Sequence, residues 1–464
     1  MKIVVLNGSP KGPVSVTMQY VSYIAKRHPE HVLKVFHVAQ KINGLVKDPG
    51  RFEAIIEEIR SADGLLWAFP LYILLVSSQF KRFIELIDEK ESAGAFSGRY
   101  AAALSTSINF YDNAAHAYIR GISEDLGMKY LGFYSANMHD LLKKPEQERL
   151  ELFAQGFFQG IENRETPQPL YPPLQHRSVA LRLNPPARRT TAANKRVVVL
   201  TDAQPQHRNL QAMIERFSRS IEGPVEIHNL YGLDIKGGCI GCLRCGFDNR
   251  CAYTGKDGFM DFYNSVLKRA DVIVFAGTIV DRQLSWKWRQ FFDRSFFNCH
   301  TPSLVGKQIA FLVSGPLSQL PELRQVYEAW MEIQRSNLVG FISDEQIGSG
   351  GIEERIDSLA ERLIRQAQIG YIRPRTFLGI AGMKVFRDDI WGGLRIVFRA
   401  DHKAYKRLGV YDFPQNRLGR RILVRLGWFV TGLPGIRQRF PQMIKQQMIQ
   451  PYRKVLDGVQ VQPS

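Results

Sequence analysis

Lys2-Ile3-Val4-Val5-Leu6-Asn7-Gly8-Ser9-Pro10-Lys11-Gly12 reads as a buried β-strand running straight into a turn. Four consecutive apolar residues suit a strand covered on both faces, and Asn-Gly-Ser-Pro is turn chemistry. An amphipathic helix is predicted over Val16–Arg27, then a strand near Val32–Val38 and a helix over Arg51–Ile59. Apolar strands follow at Gly64–Phe69 and Ala101–Leu104. Strands alternating with amphipathic helices predict an α/β fold with a doubly wound parallel sheet. A strand that leads through a Ser/Gly loop into a helix start makes an anion site, because free amides and the helix dipole face the same point. Ser9, Ser15 and Thr17 add hydroxyl donors. The loop has neither the Lys-Ser/Thr ending of a P-loop nor G-x-G-x-x-G, so it suits the terminal phosphate of a mononucleotide.

The opening is repeated. Lys2–Leu6 matches Arg196-Val197-Val198-Val199-Leu200 at an offset of 194 residues, and Ala62-Asp63 matches Ala270-Asp271 at 208. The second register then holds through Ser77/Ser285, Lys81/Arg289, Phe83/Phe291, Gly98/Gly306 and Leu104/Leu312. The offset grows by 14 residues after the second strand, where the first copy has a plain connection at Gln40–Lys47. There the second copy carries GGCIGCLRCGFDNRC, with Cys239, Cys242, Cys245 and Cys251 spaced C-x2-C-x2-C-x5-C. Three readings of these thiols stay open on the residues alone. A compact run of four thiolates suits a [4Fe-4S] cage, whereas zinc sites more often pair two C-x2-C knuckles across a long spacer. Unliganded thiols are the second reading, and zinc or disulfides the third. The second copy also replaces Asn7-Gly8-Ser9-Pro10 by Thr201-Asp202-Ala203-Gln204, and Pro70 and Tyr72 by Thr278 and Val280. A carboxylate facing a phosphate is repulsive, so the second anion site is expected to be lost despite His207, Arg208 and Asn209 nearby.

Asn-Gly-Ser-Pro-Lys after the first strand, Ala62-Asp63-Gly64 leading to Pro70-Leu71-Tyr72, and Ser77 to Phe83 resemble the flavodoxin-like NAD(P)H-dependent FMN reductases. The second copy, with its cysteine run after the second strand, resembles the iron–sulfur flavoproteins of that superfamily. The resemblance covers about residues 1–165 and 195–345. It implies two tandem flavodoxin-like sheets, with FMN in the first. The phosphate would lie on Ser9, Ser15, Val16 and Thr17, and the ring on Pro70, Leu71 and Tyr72. A third loop would run from Ser105-Thr106-Ser107 through Asn109 to Tyr111. Cys239, Cys242, Cys245 and Cys251 would hold the cluster. In the resembled family the cluster approaches a partner subunit's flavin, so a covalent tandem would present the second copy's cluster to the first copy's FMN.

The 464 residues, 45% apolar and 23% charged, suit a soluble globular protein of several domains. No run of eighteen apolar residues is present, the start reads as mature structure and not as a signal peptide, and clustered thiols are then expected to mean a reducing cytoplasm. The expected domains are 1–165 and 195–370, joined by a Pro-rich linker at 166–194, with a basic and mainly helical extension over 371–464. The extension carries 18 Lys+Arg against 5 Asp, so it holds +13 of the chain's +18. Its segment from Arg417 to Val430 reads as a basic apolar helix, either packed on the second copy, the reading favoured here, or lying on an anionic membrane. No nucleic-acid module is recognisable.

The function expected is oxidoreduction, with NAD(P)H or a reduced protein as donor and a small molecule or protein as acceptor. Rival expectations are an electron carrier without a nicotinamide pocket, and a flavoprotein with bare redox thiols. Hydride transfer to a flavin needs placement more than acid–base groups, so no catalytic residue is assigned, and His116 and His300 read as structural. Association into a homodimer stays open.

Overall fold

The computed structural model describes all residues except 176–178, 346–348, 414–416 and 459–464, so parts of the expected linker, second domain and extension lie outside the described residues. The first copy runs β1 (Lys2–Asn7), α1 (Val16–Arg27), β2 (Val32–Phe36), α2 (Ile42–Lys47), α3 (Pro49–Arg60), β3 (Gly64–Pro70), α4 (Ser78–Glu89), β4 (Tyr100–Ser107), α5 (Asp112–Asp125), β5 (Lys129–Asn137) and α6 (Lys144–Glu162). A short β6 (Thr190–Thr191) opens the second copy. It continues with β7 (Val197–Thr201), α7 (Arg208–Arg219), β8 (Ile221–Glu222), β9 (Val225–Asn229), α8 (Cys245–Asp248), α9 (Phe259–Ser265), β10 (Val272–Thr278), α10 (Trp286–Ser295), β11 (Gln308–Ser314), α11 (Pro321–Ile333), β12 (Asn337–Ser343) and α12 (Ser349–Ile369). Helices α13 (Phe377–Trp391), α14 (Arg399–Arg407), α15 (Leu418–Gly432) and α16 (Pro434–Asp457) complete the chain. Gln40–Lys47 is not the plain connection expected. It contains α2, whose Ile42 and Leu45 are buried in the first core.

Both large sheets are parallel and five-stranded, in the orders β2-β1-β3-β4-β5 and β9-β7-β10-β11-β12. This is the doubly wound, flavodoxin-like order. Alternation decides the layers of the first: Ile3 and Val5 enter the core under α1 and α6, and Val4 and Leu6 the core under α3, α4 and α5. The repeat extends to a bulge. The register slips between Ala101 and Ala102 in β4, and again between Ile309 and Ala310 in β11, 208 residues on. The chain forms two compact units, Met1–Ala404 and Tyr405–Ser464, so residues 371–404 belong with the two copies.

The copies meet through α4 against α10 and α5 against α11, and the contacts are reciprocal at the 208-residue offset. The Ser78 amide donates to Asp293 at 2.7 Å, and the Trp286 amide donates to Glu85 at 2.5 Å. Lys81 donates to Asp281 at 2.7 Å, and Arg289 to the carbonyl of Ile73, the counterpart of Asp281. Such exchange is the mark of an isologous two-fold contact, here made within one chain.

Candidate functional site

Ser15 caps α1 by accepting from the Met18 amide at 3.3 Å. The amides of Val16 and Thr17, in the first turn, have no acceptor inside the helix. Ser15 and Val16 open onto a cavity of about 210 Å³, with Lys11 at the same end. Pro70, Leu71 and Tyr72 at the end of β3, and Thr106 and Ser107 at the end of β4, form the adjoining wall. The carboxyl ends of parallel strands are where ligands of doubly wound folds lie.

The facing wall comes from the second copy. Gly241, Leu243 and Asn249 adopt left-handed conformations, at φ of 63°, 59° and 58°, and curl the cysteine segment round on itself. Cys239, Cys242, Cys245 and Cys251 all line the same cavity as the first-copy loops. The segment is tied across the interface. Gln79 of α4 donates to the Cys239 carbonyl at 3.1 Å, and a Cβ added at Gly241 would stand 2.5 Å from the Tyr72 hydroxyl. Gly241 is therefore required twice, by its φ and by this close approach. Phe386, Leu394 and Phe398 close the cavity from the extension side.

Charge on the cysteine wall is uneven. Burial, with Asp293 nearby, holds the Cys239 thiol well above the usual range. Cys299, the fifth cysteine, shares a hydrogen bond with Cys245, which lowers Cys245 and raises Cys299. Arg294 supplies the counter-charge. It is buried, reaches the Gly237 carbonyl at 3.0 Å, and is held by both oxygens of Asp257 at 2.7 and 2.9 Å. Among the described residues, no three His, Cys, Asp or Glu side chains converge closely enough to hold a single metal ion.

The twelve flavin candidates divide. Ser15, Val16, Pro70, Leu71, Tyr72, Thr106 and Ser107 line the cavity. Ser9 and Thr17 lie behind it: the Ser9 hydroxyl accepts from the Lys11 amide at 3.2 Å, and the Thr17 and Thr106 hydroxyls bond at 2.7 Å. Ser105 points the other way along β4, to His116 at 2.8 Å. Asn109 bonds Asn137, and Tyr111 donates to the Leu378 carbonyl, anchoring α13. His116 is structural, with burial pushing it down to about 4. His300, in contrast, lines the cavity, with Nδ1 2.7 Å from Asp401. Asp401, Arg294, Cys299 and the aromatic roof carry no motif at fixed spacing. Only Lys11, inside the quoted loop, was exposed to a sequence reading.

The second copy builds its first loop with different groups. Asp202, in the place of Gly8, is buried and accepts from Ser285 at 2.5 Å and from the Thr278 amide at 3.3 Å. Asp344 and Glu345, also buried, stand where the first copy has Ala136 and Asn137. Asn209 is committed to Asp344 and to the linker, donating to Val179 and accepting from Leu181. Three carboxyl groups and a strip of linker thus occupy the region of an anion site.

Residues 1–139 match the family model described as NADPH-dependent FMN reductase. Over that stretch the chain is similar to that family. The match ends before the second copy begins, and no curated protein matches the chain. Among solved structures, the chain is similar to an NADH:FMN oxidoreductase at 17% identity, covering 34% of this chain and 87% of that one, with a TM-score of 0.28. An FMN-dependent NADH-azoreductase from Bacillus anthracis is 15% identical over 35% and 99%, with a TM-score of 0.27. An oxidoreductase from Corynebacterium diphtheriae is 16% identical over 36% and 99%, with a TM-score of 0.30.

Proposed function

We propose that the protein is an NAD(P)H-dependent flavin oxidoreductase that holds FMN on its first domain and a [4Fe-4S] cluster on Cys239, Cys242, Cys245 and Cys251. One observation carries this reading: the four cysteines and the first-domain loops line one cavity. The residues fit both groups. Lys11, Ser15 and the first-turn amides of Val16 and Thr17 offer a cation and donors to a phosphate, while Pro70–Tyr72 and Thr106–Ser107 offer a wall to a flat ring. A cubane takes one thiolate per iron, so its ligands ring a cavity instead of meeting at one ion, which accords with the spread of the four thiols. When bound, FMN supplies hydride acceptance from a nicotinamide, and a cluster supplies one-electron exchange.

The chain's own part is placement. Asp257 orients Arg294, whose charge offsets the thiolates, and the Lys81 and Arg289 contacts fix the two walls against each other. Phe386 and Phe398 keep bulk water from the cavity. Anaerobic purification with flavin, iron and sulfide assays tests the proposal, together with NAD(P)H oxidation. Flavin with stoichiometric iron and sulfide is expected, and Cys242→Ala should lose the iron but keep the flavin. Flavin-replete protein without iron would remove the cluster from the proposal. Absence of NAD(P)H turnover with every acceptor tried would make the protein a carrier.

A further inference from the structure

Every side chain from Leu418 to Val430 is exposed, although eight of the thirteen are apolar. At 3.6 residues per turn, Leu418, Ile422, Leu423, Leu426, Phe429 and Val430 share one side of α15, an arc of about 140°. Arg420, Arg421 and Arg425 fall outside that arc, beside Trp428. The C-terminal part of α16 repeats the pattern, exposing Met448, Ile449, Tyr452, Val455 and Leu456 along one face. Exposed apolar surface on this scale marks an interaction site.

Charge chooses the occupant. Residues 417–458 hold nine Lys and Arg against a single Asp, so a second copy of the same surface would be repelled. No helix among the described residues is long and apolar enough to cross a membrane. An amphipathic helix with arginines and Trp on one side and Phe, Leu and Ile on the other instead suits the plane of an anionic bilayer. We infer that α15 and α16 form a peripheral docking surface for anionic membrane lipid. The helices lie in the headgroup region, with the apolar arc of α15 inserted and its arginines at the lipid phosphates.

Flotation of the full chain with vesicles tests this. Binding is expected to phosphatidylcholine vesicles containing phosphatidylglycerol, to weaken with added salt, and to be slight on phosphatidylcholine alone. Each arginine changed to glutamine should weaken partition about fivefold, so Arg420→Gln, Arg421→Gln and Arg425→Gln together should cost about 100-fold. Leu426→Gln with Phe429→Gln should cost more than about tenfold. Flavin content and helicity, unchanged in all variants, would show that they fold. Failure of the full chain to float on anionic vesicles overturns the inference and leaves an acidic protein as the occupant. Flotation indifferent to Leu426→Gln and Phe429→Gln overturns it also, because the apolar arc would then be outside the membrane.

Discussion

The two copies share a strand order, a bulge and a reciprocal interface, yet their first loops have opposite chemistry. In the first copy Ser77 caps α4 and donates to the Gly8 carbonyl at 3.0 Å, and beyond the loop the first turn of α1 opens onto the cavity at Val16. In the second, Ser285 caps α10 in the same way but donates to the carboxyl of Asp202. Gly8 has no room for a side chain, since a Cβ there would stand 2.5 Å from Phe80. One copy thus borders a cavity at the end of its loop, and the other packs its loop with its own side chains. The second copy carries the cysteine segment, which the pseudo-two-fold contact delivers to the first copy's site. Duplication lets one half specialise only because the interface keeps the halves in register.

The sharpest way to break this comparison is at the interface. Lys81 is wholly buried and balances two carboxylates, Glu85 at 3.0 Å from its own helix and Asp281 at 2.7 Å from the other copy. Its counterpart Arg289 balances one, Asp293 at 2.6 Å, and spends a second bond on a carbonyl. Removing one partner of a buried ion pair leaves an uncompensated charge and costs about 3–5 kcal/mol. Lys81→Met is therefore expected to lower stability by about that much in urea unfolding, and by more than Arg289→Met. Adding Glu85→Leu should recover part of the loss, because one stranded charge is removed with it. Equal losses for Lys81→Met and Arg289→Met would show that the pseudo-symmetry is also energetic, against the asymmetry argued here.

Legibility followed the same division. Periodicity and the two offsets disclosed both sheets, α1 to the residue, and the cysteine insert, because strand burial and helix amphipathicity are local signals. Local signal marked the cavity wall where it sits on a loop directly after a strand, as with Ser15, Val16, Pro70 and Tyr72. It failed at Ser105 and Tyr111, which lie in the right stretch but point elsewhere: alternation turns Ser105 to His116, and a left-handed φ of 55° sends Tyr111 to α13. Arg294 and His300 reach the cavity, and Asp401 reaches His300, only through tertiary packing, which leaves no spacing to read. Residues 418–430 do form the expected helix, within α15, in the compact unit Tyr405–Ser464. A basic apolar sequence does not by itself say whether protein or another phase covers it.

A change of one charge sharpens the ligand side of the comparison. Lys11 lines the first-copy cavity at its α1 end, beside Ser15 and Val16. Lys11→Glu exchanges attraction for repulsion of a phosphate at a partly exposed position, worth about 2 kcal/mol, or roughly 30-fold in Kd. Flavin fluorescence titration of the deflavinated chain should show that loss, shrinking as salt is raised. An unchanged affinity would place the phosphate away from the α1 end of the cavity.

The smallest expected effect concerns the second copy's loop, with its buried Asp202. Burial pushes the Asp202 carboxyl up to about 6, against an ordinary value of 3.8. A carboxyl whose folded pKa is raised binds its proton more tightly in the folded state. Its contribution to stability is thus fully present below about 3.8, falls as pH rises through the interval, and is lost above about 6. Asp202→Asn keeps the shape and an acceptor for Ser285 but has no charge to bury. It gives up one favourable hydrogen bond, so the net gain is about 1–2 kcal/mol at pH 7.5. Near pH 4 the wild-type carboxyl is already protonated in the fold, and the variant should show no advantage. Other titrating groups are common to both proteins and cancel in the difference, so the contrast between the two pH values isolates Asp202. A gain that is the same at pH 4 and pH 7.5 would mean the carboxylate is not penalised. The second loop would then remain an anion-repelling site held open, instead of one closed by its own buried acid.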